Sequence, residues 1–217
     1  MRLPEKTIEV NFCTQMATAM NPAVWWFGLT QKQEANAGWD VAAKLQGRWV
    51  MFQIKASKHV LRSGLRRFQA PHHQLLALKN RATTPGKVFY VLPAIGTTND
   101  LMRIRFSLLP HLRFLDVIDI PVSLGPPTTA SGALRKNEKH CLDLDATRNV
   151  VTIHSDPVDV PALDAGRAVG RMVEIYPEPT TAPGTDAIGR QDVTDEAREF
   201  IASGRNRVAA FIPLDET

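Results

Sequence analysis

The chain has 217 residues, enough to bury a core, and its 44% hydrophobic and 22% charged content is that of an ordinary globule. Its apolar runs fall well short of the roughly 20 residues that cross a bilayer, and MRLPEKTIEV at the N-terminus lacks the apolar stretch of a signal peptide, so a cytoplasmic protein is expected. Only Cys13 and Cys141 are present, with no C-x-x-C and no Cys/His cluster, which excludes a disulfide framework, a structural zinc and an iron–sulfur centre.

The formal charge of +4 conceals an asymmetry. Residues 1–140 hold 19 Lys/Arg against 8 Asp/Glu, whereas residues 141–217 hold 7 against 14. Between Val41 and Asn99 there are ten Lys/Arg and no acid. Ordinary surfaces intersperse the signs, so this block points to a polyanionic partner, nucleic acid before a membrane surface. A membrane is disfavoured because no basic amphipathic helix accompanies the charge.

Pro4-Glu5 marks a helix start, and Ile8, Phe12 and Met16 give it one apolar face until Asn21-Pro22 stops it. Glu9 lies beside that face, directed along the edge of whatever the helix covers. Ala23 to Ala37 reads as a connection whose Trp25, Trp26 and Phe27 supply core. Two strand-like runs follow, Trp39–Lys44 and Trp49–Ala56, around a turn at Gln46-Gly47. Lys58 to Gln69 is polar and basic, a loop or short extended piece; Pro71 then opens a helix from His72 to Arg81. Lys87 to Leu92 is an apolar strand buried on both faces, and Arg103–Leu108 and Phe114–Ile120 are further strand candidates. The run Gly125 to Gly132 breaks the pattern. Beyond it lie a hairpin (Cys141–Leu144 with Val150–His154), a loop over Pro177–Gly184, and a helix over Thr194 to Ser203. Arg135, Lys136 and Lys139 read as a solvated loop.

A hairpin closed at Gln46-Gly47 pairs residues whose numbers sum to 93, so Asp40 falls opposite Gln53, with Cβ atoms roughly 4.5–5.5 Å apart. Strand alternation puts Gln53 and Lys55 on one face and Val50, Phe52 and Ile54 on the other. Asp40, Gln53 and Lys55 therefore converge at one end, whereas a slip of one residue would separate them. A carboxylate beside an amide oxygen offers hard ligands of the kind magnesium takes, and a neighbouring ammonium can orient water or neutralise charge on a phosphoryl group. A hairpin whose polar face is simply wet is the alternative reading of the same three residues.

Asp40, followed by Gln53-Ile54-Lys55 on the next strand and preceded by a helix carrying Glu9, resembles the PD-(D/E)XK nuclease superfamily. The likeness is to its restriction-endonuclease-like branch in which glutamine gives Q-x-K; Trp39 stands where the family name has proline. The resemblance implies an α/β (α+β) fold: a restriction-endonuclease-like core over residues 1–122, with a central mixed β-sheet flanked by helices in the order α-β-β-α-β. Residues 123–217 would form a C-terminal β/α extension packed on that core. It implies a Mg²⁺-dependent DNA endonuclease, with Mn²⁺ able to substitute, hydrolysing phosphodiester bonds of duplex DNA in restriction, anti-phage defence or repair. Asp40, Gln53 through its amide oxygen, Ile54 through its carbonyl, and Glu9 would hold the metal. Lys55 would position the attacking water. Lys58, Arg62, Arg66, Arg67 and His72 would contact the DNA backbone, and a homodimer follows by analogy, since each site cuts one strand. Glutamine in place of an acidic ligand also admits an inactive nuclease-fold module that only binds DNA. A third reading is a subunit of a defence complex that meets a basic partner through its acidic C-terminal region.

Overall fold

The computed structural model describes residues 1–19, 24–29, 33–34, 37–45, 48–121, 125–127, 138–155, 157–174 and 211–213. It is mixed α+β, built on two sheets. In chain order the principal elements are α1 (Glu5–Ala19), β1 (Trp25–Gly28), β2 (Val41–Leu45), β3 (Arg48–Ile54), β4 (His59–Val60), β5 (Arg66–Pro71) and α2 (His72–Arg81). They continue with β6 (Val88–Pro93), α3 (Thr98–Arg103), β7 (Leu112–Asp116), β8 (Lys139–Asp145), β9 (Val150–Ile153), β10 (Val158–Pro161), α4 (Ala165–Glu174) and β11 (Phe211–Pro213).

The first sheet has the order β11-β1-β2-β3-β6-β7 and the second β10-β9-β8-β5-β4. In the first, β1, β2 and β3 form an antiparallel meander, β3 runs parallel to β6, and β7 returns antiparallel. Strand alternation divides its side chains between two cores. Val41, Val50, Phe52, Ile54, Phe89 and Val91 pack with Phe12 and Met16 of α1 and Met172 of α4. Ala42, Trp49, Met51, Tyr90 and Leu92 pack with Leu75 and Leu78 of α2 and with Phe68, Leu142, Val151 and Ile153 of the second sheet. The first sheet is thus covered on both sides, and β6 is buried at every position. Phe12 anchors α1 by edge contacts to Trp26 and Phe52, with ring centroids 5.6 and 5.0 Å away.

The segment read as a connection before residue 38 contains β1, the antiparallel partner of β2; four residues, WWFG, are too few to display alternation. Lys58–Gln69 supplies β4 and β5, turned at Gly64 with φ +84°. No strand runs over Arg103–Leu108. Thr97 and Asp100 form a reciprocal capping box that starts α3, and the chain leaves it through Arg105 and Phe106 at φ 51° and 60°. The strand expected at Phe114–Ile120 begins at Leu112 and ends at Asp116, whose carboxylate accepts from Ile118 N and turns the chain. Strand β8 pairs with β5 over six residues, so the second sheet draws on both halves of the chain. Pro177–Gly184, Thr194–Ser203, Arg135 and Lys136 lie outside the described residues. No helix among the described residues is long and apolar enough to cross a membrane.

Two ion-pair centres join the halves. Arg67 of β5 forks onto Asp143 of β8 at 2.7 and 2.6 Å. Arg171 of α4 reaches Asp116 and Asp119 at 2.9 Å, and Gly86 N also donates to Asp116. Gly86 has φ +75°, and a Cβ there would lie 2.6 Å from the Arg171 carbonyl oxygen. Gly64 has similar φ but open space around it. Gly64→Ala should therefore cost only the backbone strain, about 1 kcal/mol, and Gly86→Ala roughly 2 kcal/mol or more, because backbone must also move. Urea unfolding midpoints compare the two; equal losses would refute the close approach at Gly86.

Candidate functional site

Asp40 owes its position to the turn before β2. Gly38 takes φ +82°, with its Cα so close to α2 that a Cβ would lie 3.2 Å from both Ala77 Cβ and the Gln74 carbonyl. The chain then enters the sheet: Asp40 N donates to Phe52 O at 3.0 Å, and Val41 pairs with Phe52. That is the register summing to 93, and it sets Asp40 against Gln53.

The contacts are close. Asp40 Oδ2 accepts from Gln53 Nε2 at 2.7 Å and from Ile54 N at 2.6 Å. Gln53 Nε2 also donates to the Ile54 carbonyl at 3.2 Å, so its NH₂ group lies between a carboxylate oxygen and a carbonyl oxygen. On the other side Gln53 Oε1 accepts from Gln74 Nε2 of α2 at 2.8 Å. Gln53 is 1% exposed, Lys55 9%. Lys55 N continues the β3–β6 ladder by donating to Val91 O at 3.1 Å. Tyr90, the register partner of Gln53, is fully buried; its hydroxyl and Gln74 Oε1 have no hydrogen-bond partner among the described residues.

Burial dominates the electrostatics. It pushes the Asp40 carboxyl up to about 7, against the opposing pull of the Ile54 N–H, the Lys55 charge and the Gln53 amide. Burial likewise lowers Lys55, with Glu5 and Asp40 supporting its charge and Lys139 opposing it. Tyr90 is driven up by burial and then by the Asp40 charge. A carboxyl and an amine are thereby each drawn toward neutrality.

Glu9 does not join these contacts. It lies on α1, which covers the Ile54 face of β3, and it is buried in an ion pair with Lys6 at 2.6 Å. Burial opposes the charge of Lys6, and Glu9, then Glu34 and Asp40, outweigh it and raise the ammonium. Glu34 is the acid that the sequence reading overlooked: half-buried and raised by burial, it acts on Lys6, Lys55 and Asp40. Its signal was sparseness, for it is the last acid before Asp40 in a chain about to run acid-free to Asn99.

Among the described residues no three His, Cys, Asp or Glu side chains are grouped closely enough to hold a metal. The oxygens that do converge are Asp40 Oδ2 and the Ile54 carbonyl, both facing the Gln53 NH₂. That donor set suits a hard cation that keeps most of its waters, as magnesium does, with Gln53 presenting nitrogen rather than oxygen toward it.

The residues expected on DNA divide into two sets. Lys58 and Arg62 are exposed on and beside the β4–β5 hairpin. Arg66 is turned inward, with Nε donating to the Ala94 carbonyl and its guanidinium against Gly96. Arg67 is committed to Asp143, which also bonds His154. His72 Nδ1 lies 2.9 Å from His140 Nε2, and His140 Nδ1 lies 2.6 Å from Ser155 Oγ. Comparison with protein-family profiles, with characterised proteins and with solved structures finds no match.

His140 is wholly buried, and in a shared hydrogen bond one imidazole must accept while the other donates. Burial, and then His72, lowers His140 from 6.5 to about 4. Above pH 6.5 the folded and unfolded chains are alike in this proton; as pH falls toward 4, the unfolded chain binds a proton that the folded one refuses. Stability should therefore fall through that window, and His140→Gln should flatten the decline. Urea titrations at pH 7.5, 6 and 5 measure both slopes, and identical slopes would contradict the neutral buried imidazole.

Proposed function

We propose that this chain is a metal-dependent DNA endonuclease of the restriction-endonuclease-like kind, its active site formed by Asp40, Gln53, Ile54 and Lys55. The observation that carries this reading is the convergence at the end of β3. Asp40 Oδ2 and the Ile54 carbonyl both accept from the Gln53 amide nitrogen, a desolvated lysine follows Ile54, and Asp40 stands at the edge of a block of ten Lys/Arg without acid. The order of elements agrees with it: a helix, the β2–β3 hairpin, helix α2, then β6 running parallel to β3.

A divalent cation here would supply Lewis-acid stabilisation of a phosphoryl oxygen and a more acidic bound water. Asp40 and the Ile54 carbonyl would hold it. Lys55, its ammonium weakened by burial, would orient water and then stabilise charge on the phosphate. The fixed β2–β3 register holds the carboxylate and amine together before substrate arrives, so little reorganisation remains for the reacting state. Lys58 and Arg62 give sequence-independent, salt-sensitive grip on a backbone, whereas Arg66, Arg67 and His72 maintain the second sheet and its neighbours.

The test is incubation of supercoiled and linear DNA with the protein and Mg²⁺ or Mn²⁺. Cleavage is expected, reduced by Asp40→Ala and by Lys55→Ala on the order of 100-fold or more. No cleavage of any substrate, or cleavage that both variants retain, would overturn the assignment. For DNA affinity, replacing both Lys58 and Arg62 by Ala should lower the slope of log K against log salt by about 2, read by fluorescence anisotropy; replacing Arg67 should act through the melting temperature instead.

A further inference from the structure

We infer that Gln53 and Gln74 form a coupled amide pair that turns over when Asp40 takes up a cation, with Gln74 as the positioning residue. This rests on the cation reading of the Asp40 site and adds to it the device by which a glutamine can occupy a ligand position.

A side-chain amide has one accepting and one donating end. Gln53 now points its donating end at Asp40 Oδ2 and the Ile54 carbonyl, 2.7 and 3.2 Å away, and its accepting end at Gln74 Nε2, 2.8 Å away. The NH₂ group thus neutralises the two oxygens that a cation would use. A cation cannot share that point with N–H hydrogens, but it can share it with the amide oxygen. Rotation about the last side-chain bond of Gln53 makes that exchange at low torsional cost.

Such a rotation moves Gln53 Nε2 to face Gln74 Nε2, two donors nose to nose. Gln74 must then rotate as well and present Oε1. That atom is buried and has no hydrogen-bond partner among the described residues, an uncommon condition for an amide oxygen in a packed interior. Rotation gives it one and carries the Gln74 NH₂ into the place it leaves. The amide-to-amide bond survives in both states with its direction reversed, and the lost Gln53-to-Asp40 bond is replaced by attraction of Asp40 and the Gln53 oxygen to the cation. Gln74 is held for this by α2, whose residue Gln74 meets the Gly38 turn through its backbone carbonyl and Gln53 through its side chain. The same helix face therefore sets both Asp40 and its amide partner.

The experiment uses the full-length protein, with Mn²⁺ occupancy followed by electron paramagnetic resonance and the assigned side-chain amide signals followed by NMR during a Mg²⁺ titration. The signals of Gln53 and Gln74 should shift together, along the occupancy curve given by Mg²⁺ competition with Mn²⁺. Binding that is lost in Asp40→Asn while neither amide shifts, or while only that of Gln53 shifts, would overturn the coupling and leave the cation site standing. Absence of any Asp40-dependent Mn²⁺ binding would overturn both.

Discussion

The short bonds from Ile54 N and Gln53 Nε2 to a single oxygen of Asp40 are the constraint on which the rest of the site depends. A carboxylate placed at the end of a sheet covered on both faces cannot keep its hydration, and without compensation it would neutralise or pull the strands apart. Here the compensation comes from backbone and amide, fixed by strand register rather than by a flexible cation side chain. The hydrogen bonds offset burial only in part, so the carboxyl settles near 7. It is a group tuned between charge and neutrality, with a lysine under the same pressure two residues along the partner strand.

That pressure is a product of the architecture. A single-sided hairpin would let Gln53 and Lys55 face water, as the wet-hairpin reading supposed. The second sheet and α2 prevent this by closing over the same face that carries Trp49 and Met51. The price of such closure is several buried polar groups, and most are met by partners from distant parts of the chain: Asp143 by Arg67, Asp116 by Arg171, His140 by Ser155 and His72. Two of the unmatched atoms, Gln74 Oε1 and the Tyr90 hydroxyl, adjoin the Asp40 constellation; others, such as Trp26 Nε1, Thr98 Oγ1, Arg113 Nε and Asn149 Oδ1, belong to other parts of the fold.

How much of this could be read in the residues depended on range. The 3.6-residue period of Ile8, Phe12 and Met16 and the alternation from Trp49 to Ile54 are local, so the face of α1, the hairpin register and the Asp40–Gln53 pairing followed from counting. Partnerships across the fold leave no such trace. Arg67 and Asp143 lie 76 residues apart, and nothing in RRF indicates that one arginine turns to a carboxylate while its neighbour donates to a backbone carbonyl. The basic block therefore overstated the charge available to a polyanion. Glu34 escaped notice for a related reason: acids inside an irregular stretch have no period to betray where they point.

The charge asymmetry between the halves takes on a different meaning once those pairs are placed. Of the acids after residue 140, Asp143 is paired with Arg67 inside the second sheet. The relation is reciprocal, since Arg171, a base of the acidic half, is spent on Asp116 and Asp119 of the basic half. A boundary near residue 122 would cut through both centres, and it would remove β8 from β5, leaving the face above Gln53 and Lys55 without its lid. Burial of those two residues is what gives Lys55 its weakened ammonium. The later half of the chain therefore helps to exclude water from the surroundings of Asp40, although its residues provide none of the proposed ligands.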